Sequence, residues 1–556
     1  MLCVEIRFMT ALLASNKPLD AWAIDVLGYS PLQLMEVAGH AVAQRLLQRF
    51  AGQTYLNVVV LAGTGNNGGD AYVVARLLHN AGWRKLLVIS TGTPTTPEAQ
   101  HMAHQAMALG IAVVPLNSVL VNTACLNSAD VIVDGLVGCG LQGALREREQ
   151  QLVTLVNQQQ RRNATAELPN PKAQLATLPF VMAIDIPSGV EAGTGAIAQH
   201  SGAILANETV GLSVGKPAYD LYPGKAYRGV LSVAGLGLPL ASAWPATLKP
   251  VAYRLSQALA QAALPKRNAH GHKYDQGHVL AVAGSTAYPG AGHLVCQAAY
   301  KAGAGLVTWA TDATTLAQGL PLPEVVPLPI DPADPLGKLV ADWLQSKVPQ
   351  AVVYGPGLGL SQAACQQTQM WMMRFLAQYS GFVVLDADAL GHLAMLFDQQ
   401  VEALPPLAPF SHRMVVTPHW GELKRLFSDL ADLPPLQAAQ GLADRLNCQV
   451  LLKTPVLIHA CPSALGYQPL ISPYGNDAAA TAGTGDVLAG LVAGLAAQHT
   501  SLAQACVAAM ALHGEAITLA AEAETAYGVT ASSVVAYLPQ AFKRCLAGQL
   551  SLGEVL

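Results

Sequence analysis

Residues 57–70 read NVVVLAGTGNNGGD. A strand predicted over Leu56 to Ala62, apolar without a break from Val58, enters a turn built from Gly63, Thr64, Gly65, Asn66, Asn67, Gly68 and Gly69, and Asp70 closes it. Val74, Leu77 and Leu78 then share one side of a helix predicted over Ala71 to Asn80. A strand without polar alternation is buried on both faces, as in parallel sheets covered by helices. Strand, glycine turn and helix open a doubly wound α/β domain, and Gly63-x-Gly65-x-x-Gly68 has the form of the dinucleotide fingerprint. The match stops at the second strand, Lys85 to Ile89. It ends in Ser90-Thr91-Gly92, where a dinucleotide dehydrogenase carries Asp or Glu for the ribose. An ordinary NAD dehydrogenase is therefore disfavoured. The turn reads either as a polar loop with Asp70 capping the helix, or as a cradle in which the amides of Asn66 and Asn67 meet a polar ligand.

Working outward, the same pattern recurs. Upstream, Ala21 to Gln48 reads as helical, with Ser30-Pro31 as a helix start. Residues 1–19 read as a leader. Downstream, the strand Ala129 to Val133 ends in Asp134 and a loop rich in glycine, Gly135 to Gly143. The strand Phe180 to Ile184 ends in Asp185-Ile-Pro-Ser188. Each aspartate is either a turn former or a site carboxylate. With Asn and Ser oxygens they could hold a hard cation, K⁺ or Mg²⁺, and one could act as acid or base. Residues 158–178 are polar and carry prolines, the pattern of a surface insertion.

Trp244-Pro245 and Lys249-Pro250 break the strand pattern, so a linker is expected over 241–265, between domains at 20–240 and 266–550. The second half again alternates strand, turn and helix. His278 to Ala283 leads into a Gly-rich turn, and Ala351 to Tyr354 leads into Gly355-Pro-Gly-Leu-Gly359. Phe382 to Leu385 precedes Asp386-Ala-Asp388, Met414 to Thr417 precedes Pro418-His419, and Gln449 to Lys453 ends in its lysine. Residues 482–495, AGTGDVLAGLVAGL, form a glycine turn that opens a helix. Asp486 there is either an N-cap or the base for a hydroxyl attacking phosphate. His419 reads as a loop residue or a ligand contact, Lys453 as a solvent cation or a phosphate contact, and Asp386 and Asp388 as helix caps or site groups.

Bulk properties narrow the class. Of 556 residues, 52% are hydrophobic and 12% charged, and the net charge is −4. That composition builds large cores and leaves no basic surplus for nucleic acid or an anionic membrane. The nine cysteines show no CxxC pairing, which fits reduced thiols and argues against zinc. A cytoplasmic protein without membrane partners is expected, and a homo-oligomer.

The segments LQLMEVAG, GTGNNGGD, VDGLVGCG and AIDIPSG, in this order, resemble the NAD(P)H-hydrate epimerase domain over about residues 20–240. That resemblance implies a Rossmann-like fold and interconversion of the R and S epimers of nicotinamide dinucleotides hydrated at C6. It implies that Asn66, Asn67, Gly68, Gly69 and Asp70 contact the hydrate, with Gly138, Cys139, Gly140, Leu141, Gln142, Gly143 and Ala144. It further implies K⁺ on Asn67, Asp134 and Ser188, with Asp185 as substrate contact and acid/base. Cys139 stands where the family usually has Thr, and an acidic residue is replaced around Ala206-Asn207.

HKYDQGHVLAVAGS, YPGAG, KAGAGLVT, GPGLG, DADAL, TPHWGEL and TAGTGDVLAG resemble the ribokinase-like ADP/ATP-dependent NAD(P)H-hydrate dehydratase over about residues 250–545. By that resemblance Ala291, Gly359, His419 and Asp486 contact the hydrate, and Asp486 is catalytic. Lys453, Thr454, Pro455 and Gly485 contact the nucleotide. Lys453-Thr454 replaces a usual Lys-Gly. The fused pair implies a bifunctional repair enzyme acting on NADHX and NADPHX with ADP as co-substrate and Mg²⁺. Two competing readings are a small-molecule kinase and a nucleotide-sensing module without turnover.

Overall fold

The computed structural model describes residues 10–121, 123–164, 179–198, 202–267, 270–331, 348–359, 379–398, 412–475, 477–498 and 501–552. The chain divides into two compact units, Ala11–Val251 and Ala252–Leu552. The division falls inside the stretch read as a linker. Ala252–Arg254 is already a strand of the second unit, and Leu259, Ala260 and Ala263 of the helix Gln257–Ala263 are buried in its core. The prolines there punctuate short elements; they do not mark a free connector.

The first unit has a parallel sheet of seven strands: β1 (Val58–Ala62), β2 (Leu86–Ser90), β3 (Ala112–Pro115), β4 (Val131–Gly135), β5 (Phe180–Ile184), β6 (Glu208–Leu212) and β7 (Val230–Ala234). Their order is β3-β2-β1-β4-β5-β6-β7, the doubly wound order. The helices α1 (Lys17–Asp25), α2 (Pro31–Arg49), α3 (Asn66–Asn80), α4 (Pro97–Ala108) and α5 (Glu147–Ala164) accompany it. Val58, Val60 and Ala62 join one core with residues of α2, α3 and α4, whereas Val59 and Leu61 join another with Leu152, Val153 and Val156 of α5. Each fully buried Val or Leu contributes about 1.5–3 kcal/mol, and both faces of β1 collect it.

Three expectations change here. The helix expected over 21–48 is two helices, because Gly28 turns the chain at φ +76° and Pro31 restarts it at a first helical position. Residues 10–19, read as leader, belong to the folded structure: Thr10–Leu12 is a strand, α1 begins at Lys17, and Leu12, Leu13 and Leu19 are buried. Helix α3 starts at Asn66 behind Gly65, so Asp70 lies in its second turn and is not a cap. The insertion read at 158–178 begins as the end of α5, and 165–178 lie outside the described residues.

The sheet of the second unit contains β8 (Ala252–Arg254), β9 (His278–Val282), β10 (Leu306–Thr311), β11 (Val326–Pro329), β12 (Ala351–Tyr354), β13 (Phe382–Leu385), β14 (Met414–Val416), β15 (Gln449–Lys453), β16 (Leu457–Ala460) and β17 (Leu470–Ile471). The order runs β8-β17-β16-β15-β14-β13-β12-β9-β10-β11. The pairings from β15 through β11 are parallel; β16 is antiparallel to both neighbours. Helices α6 (Pro289–Lys301), α7 (Trp420–Leu426), α8 (Thr484–Ala496) and α9 (Leu502–Glu524) position the site. Gly490 and Gly494 let α8 press on α6: a Cβ would fall 2.3 Å from the Val295 carbonyl and 2.5 Å from that of Ala299. Helix α9 is apolar and long enough to cross a membrane, yet 89% of its most apolar window is buried, as in a core helix.

Candidate active sites

In the first unit the chain leaves β1 toward β2 and β3, then returns to lay β4 on the opposite side of β1. Such a reversal opens a crevice beyond the strand ends. Two loops meet there at contact distance. A Cβ on Gly63 would lie 1.9 Å from the Leu136 carbonyl oxygen, so no other residue fits. The crevice widens into a cavity of about 640 Å³. Asn66, Asn67, Asp70, Asp185, residues 138–142 and Ala144 line it. Gly68, Gly69 and Gly143 do not. Gly68 packs on Gly63 and Gly69 on Met35, so their task is close packing.

Asp185 is the most constrained residue of this site. It has φ +68°, an uncommon conformation for a residue with a Cβ. Lys216 Nζ lies 2.6 Å from Asp185 Oδ1, and both side chains are buried. The amides of Leu212 and Cys139 each donate to the same carboxylate at 3.2 Å, and Tyr219 Oη donates to the Asp185 carbonyl at 2.7 Å. Lys216 also donates to the carbonyls of Leu212 (3.0 Å) and Val214 (3.1 Å). Burial alone would lower its pKa, but the Asp185 charge reverses the sign and keeps the lysine protonated. Nearby carboxyls move the other way. Burial, then the charges of Asp185 and Asp20, push Asp70 well above the usual range. Burial and Asp185 raise Asp20 to about 6.

Asp134 and Ser188 stand behind the lining. Ser188 Oγ donates to Asp134 Oδ1 at 2.6 Å and its amide to Oδ2 at 2.8 Å, while the Val137 amide donates to Ser188 Oγ at 2.9 Å. Asp134 is fully buried, and burial lifts it to about 6 against those hydrogen bonds. Asn67 borders the same loop: a Cβ on Gly138 would lie 2.9 Å from Asn67 Oδ1. Hard oxygens around a buried carboxylate without an ion pair among the described residues suit a monovalent cation. Cys139 has its thiol pushed up by burial, so it is a packed group and not a reactive one. Asn207 Oδ1 accepts from the Val181 amide at 2.8 Å, so the side chain in the family's usual acidic region pins a strand.

In the second unit Gly483, at φ +90°, precedes α8, and Asp486 lies in its first turn. No side chain caps this helix, so the capping reading of Asp486 falls. Lys453, at the end of β15, reaches Asp386 Oδ1 at 2.7 Å and lies 4.0 Å from Glu422 Oε2. Thr417 Oγ1 donates to the same Asp386 oxygen at 2.7 Å. A Cβ on Gly485 would lie 3.2 Å from Lys453 Nζ, which places the ammonium over the glycine turn. Burial and then Asp386 raise Asp486 to about 7, with Lys453 pulling it down. Asp388 is the first residue of the helix Asp388–Asp398, and it accepts from the Gly359 amide at 2.8 Å and so holds the GPGLG loop. Gly357 packs on Ala291, and Gly359 faces Ser285 and Tyr288. His419 begins α7 as its cap, its Nδ1 accepting from the amides of Gly421 (3.0 Å) and Glu422 (3.2 Å). A small cavity of about 110 Å³ is lined by Lys453, Thr454, Pro455 and Gly485, with Tyr474 and His513 among its other walls.

Sequence reading missed Lys216, Asp20 and the role of Glu422. The signal for Lys216 was local: it is the only cation in residues 208–219, four positions past the end of the strand Glu208–Leu212. The Asp386–Lys453 pair left no local signal, because its partners are 67 residues apart.

Comparison with known proteins assigns both units. Residues 31–218 match the family model described as YjeF-related protein N-terminus, and residues 279–540 match NAD(P)H-hydrate dehydratase. A bifunctional NAD(P)H-hydrate repair enzyme of Synechocystis is 32% identical over 96% of this chain and 94% of its own. The chain belongs to the bifunctional NAD(P)H-hydrate repair enzymes. The repair enzyme of Escherichia coli is likewise 32% identical, over 93% of this chain and 90% of its own. Among solved structures, an ADP/ATP-dependent NAD(P)H-hydrate dehydratase from Bacillus subtilis, co-crystallised with ATP and Mg²⁺, is 26% identical. It covers 52% of this chain and 97% of its own, with a TM-score of 0.44. Each family match lies wholly within one compact unit, so the two activities of the repair family fall on separately folded parts.

Proposed function

We propose that the first unit epimerises R- and S-NAD(P)HX and the second dehydrates the S epimer, converting ADP to AMP and phosphate. The C6 carbon of the hydrate is a hemiaminal, so opening its C–N bond loses the configuration and closing restores either epimer. Asp185, held rigidly by Lys216, takes the hydroxyl proton. K⁺, held by Asn67, Asp134 and Ser188, would supply a fixed positive charge beside that carboxylate.

In the second unit Asp486 takes the proton of the C6 hydroxyl as its oxygen attacks the terminal phosphorus of ADP and AMP departs. The amides around Gly483 and Gly485, with Lys453, stabilise the phosphoryl oxygens. The ring nitrogen then expels phosphate, and loss of the C5 proton restores the dihydronicotinamide. Ala291, Gly359 and His419 would position the hydrate, and Lys453, Thr454, Pro455 and Gly485 the nucleotide. Asp386 and Glu422 would be the carboxylates nearest to a Mg²⁺ brought in with the nucleotide, which would neutralise phosphate charge.

The observation that carries the reading is Asp486. Its side chain has no hydrogen bond or ion pair among the described residues and stands in the first turn of a glycine-opened helix, beside the Lys453–Asp386 pair. A cytoplasmic homo-oligomer acting on small molecules is the setting we infer; the net charge of −4 leaves no basic surplus for nucleic acid or an anionic membrane. The test is incubation of the full chain with mixed hydrate epimers and ADP, followed at the reduced-nicotinamide absorbance band. Recovery of all the hydrate is expected. Recovery of the S fraction alone would overturn the epimerase half, and a phosphorylated product without absorbance would overturn the dehydratase half.

A further inference from the structure

One wall of the first cavity comes from a segment that no motif covers. Leu13 donates from its amide to the Gly215 carbonyl at 3.1 Å, and Leu12 bridges the same glycine, one residue before Lys216. That tether carries the start of α1 onto the site. Asn16, Lys17 and Asp20 line the cavity together with Asp70 and Asp185.

Two features of this wall are unexplained by folding. Asn16 occupies the cap position of α1, yet its side chain makes no capping hydrogen bond. It is 7% exposed, and its Oδ1 has no hydrogen-bond partner among the described residues. A buried acceptor left unpaired costs about 1–3 kcal/mol unless a ligand donor meets it. The side chain of Asp20, one turn further along α1, has neither a hydrogen bond nor an ion pair among the described residues, although Lys216 is near enough to act on its charge. By contrast, Asp185 is anchored on both oxygens.

We propose that Asp20 is a second catalytic residue of the epimerase reaction, the proton donor to the ring nitrogen, and that Asn16 accepts a hydrogen bond from the hydrate. The inference rests on the epimerase reading above. In the opening step the C6 hydroxyl gives its proton to Asp185, and the O–H electron pair becomes the second bond of an aldehyde. The C6–N bond breaks, and its electron pair takes the proton from Asp20. Rotation about the adjacent carbon–carbon bond presents the other face, and the reverse transfers close the ring. No proton is gained or lost overall. Two carboxyl groups with unequal surroundings are the usual division of acid from base. Asp185 and Asp70 face Asp20 as negative or potentially negative groups, and Lys216 as the positive one. Asp20 therefore keeps its proton to about 6.

The test uses the full chain with excess ADP and mixed epimers. Consumption of the S epimer gives a first phase, and epimerisation limits a second, from which the uncatalysed rate is subtracted. The Asp20→Asn variant should slow the second phase by about 100-fold or more. Its first phase, which belongs to the other unit, should not change. The parent's second phase should fall as pH rises above about 6, and the residual rate of Asp20→Asn should lose that fall. Asp20→Glu should keep it. Asn16→Ala should raise the half-saturating hydrate concentration about tenfold with kcat little changed. A second phase within threefold of the parent's in Asp20→Asn overturns the proposal, as does a slow residual phase with the same pH fall. A parent chain with no second phase overturns the epimerase reading itself.

Discussion

Each unit places a lysine–aspartate pair at the ends of its parallel strands, and the two pairs do different work. In the first, Lys216 lies 2.6 Å from Asp185 and is spent on it and on two carbonyls, with no exposed surface left. In the second, Lys453 lies 2.7 Å from Asp386, keeps 19% of its side chain exposed, and overhangs the glycine turn. The aspartate proposed to react is the paired one in the first site and the unpaired neighbour, Asp486, in the second. One lysine thus fixes the position of the carboxylate proposed as the base. The other pairs with Asp386, and in the proposed reaction its charge meets the incoming phosphate while Asp486, unpaired, changes its protonation.

The strongest way to break this comparison is to remove the two reacting groups in turn. Asp486→Ala should abolish ADP-dependent dehydration, a loss of about 10³-fold or more, while epimerisation stays near the parent's rate. Epimer exchange is read by chromatography of the hydrates without ADP, and dehydration by absorbance. Dehydration that survives would remove Asp486 from its role.

Next in size is the cost of unpairing. Lys216→Met strands Asp185 as a buried carboxylate, which should destabilise the first unit by about 3–5 kcal/mol. Adding Asp185→Asn should return most of that stability without returning epimerisation. Lys453→Met leaves a partly exposed pair broken and should cost the fold less, while raising the ADP concentration needed for half-saturation. Urea melts of the three variants separate the cases. Equal destabilisation by the two lysine changes would erase the distinction drawn here.

The pH responses should differ in sign. Asp486 must be ionised to act, and it is raised to about 7, so dehydratase kcat/KM should rise with pH toward about 7 and level off above it. Asp20 must be protonated to act as proposed, so epimerisation should decline as pH rises through about 6. Parallel profiles in the two assays would show that the carboxyls are not divided in this way.

What the sequence disclosed follows the range of the forces involved. Apolar strands leading into glycine turns announced the parallel sheet of the first unit and the mostly parallel one of the second, because burial on two faces and close backbone approach leave local marks. Asp134, Asp185 and Asp486 were legible as carboxylates at strand or helix ends for the same reason. Asp70 was misread as a cap because Gly68 and Gly69 looked like helix breakers. They lie inside α3, where contact with Gly63 and Met35 admits no Cβ. Pairings across the sheet, Asp185 with Lys216 and Asp386 with Lys453, depend on strand order, which no local pattern encodes. The wall made by Asn16 and Asp20 was hidden for a further reason: its segment lacks a long apolar run and is held by backbone hydrogen bonds to Gly215.

The smallest effect concerns the turn after Lys453, where Thr454 stands in place of the glycine that the resemblance led us to expect. Thr454 Oγ1 donates to the Val456 carbonyl at 2.6 Å, and the Val456 amide donates back to that oxygen at 3.2 Å. The threonine thereby closes with its side chain a turn that glycine would close by backbone freedom alone. Thr454→Gly loses about 1 kcal/mol of local hydrogen bonding and loosens one wall of the small cavity. The half-saturating ADP concentration should rise about threefold to fivefold, with kcat unchanged and epimerisation untouched. A larger loss that includes kcat would mean that Thr454 positions the Lys453 ammonium itself, and the freedom assigned to that lysine would then be borrowed from its neighbour.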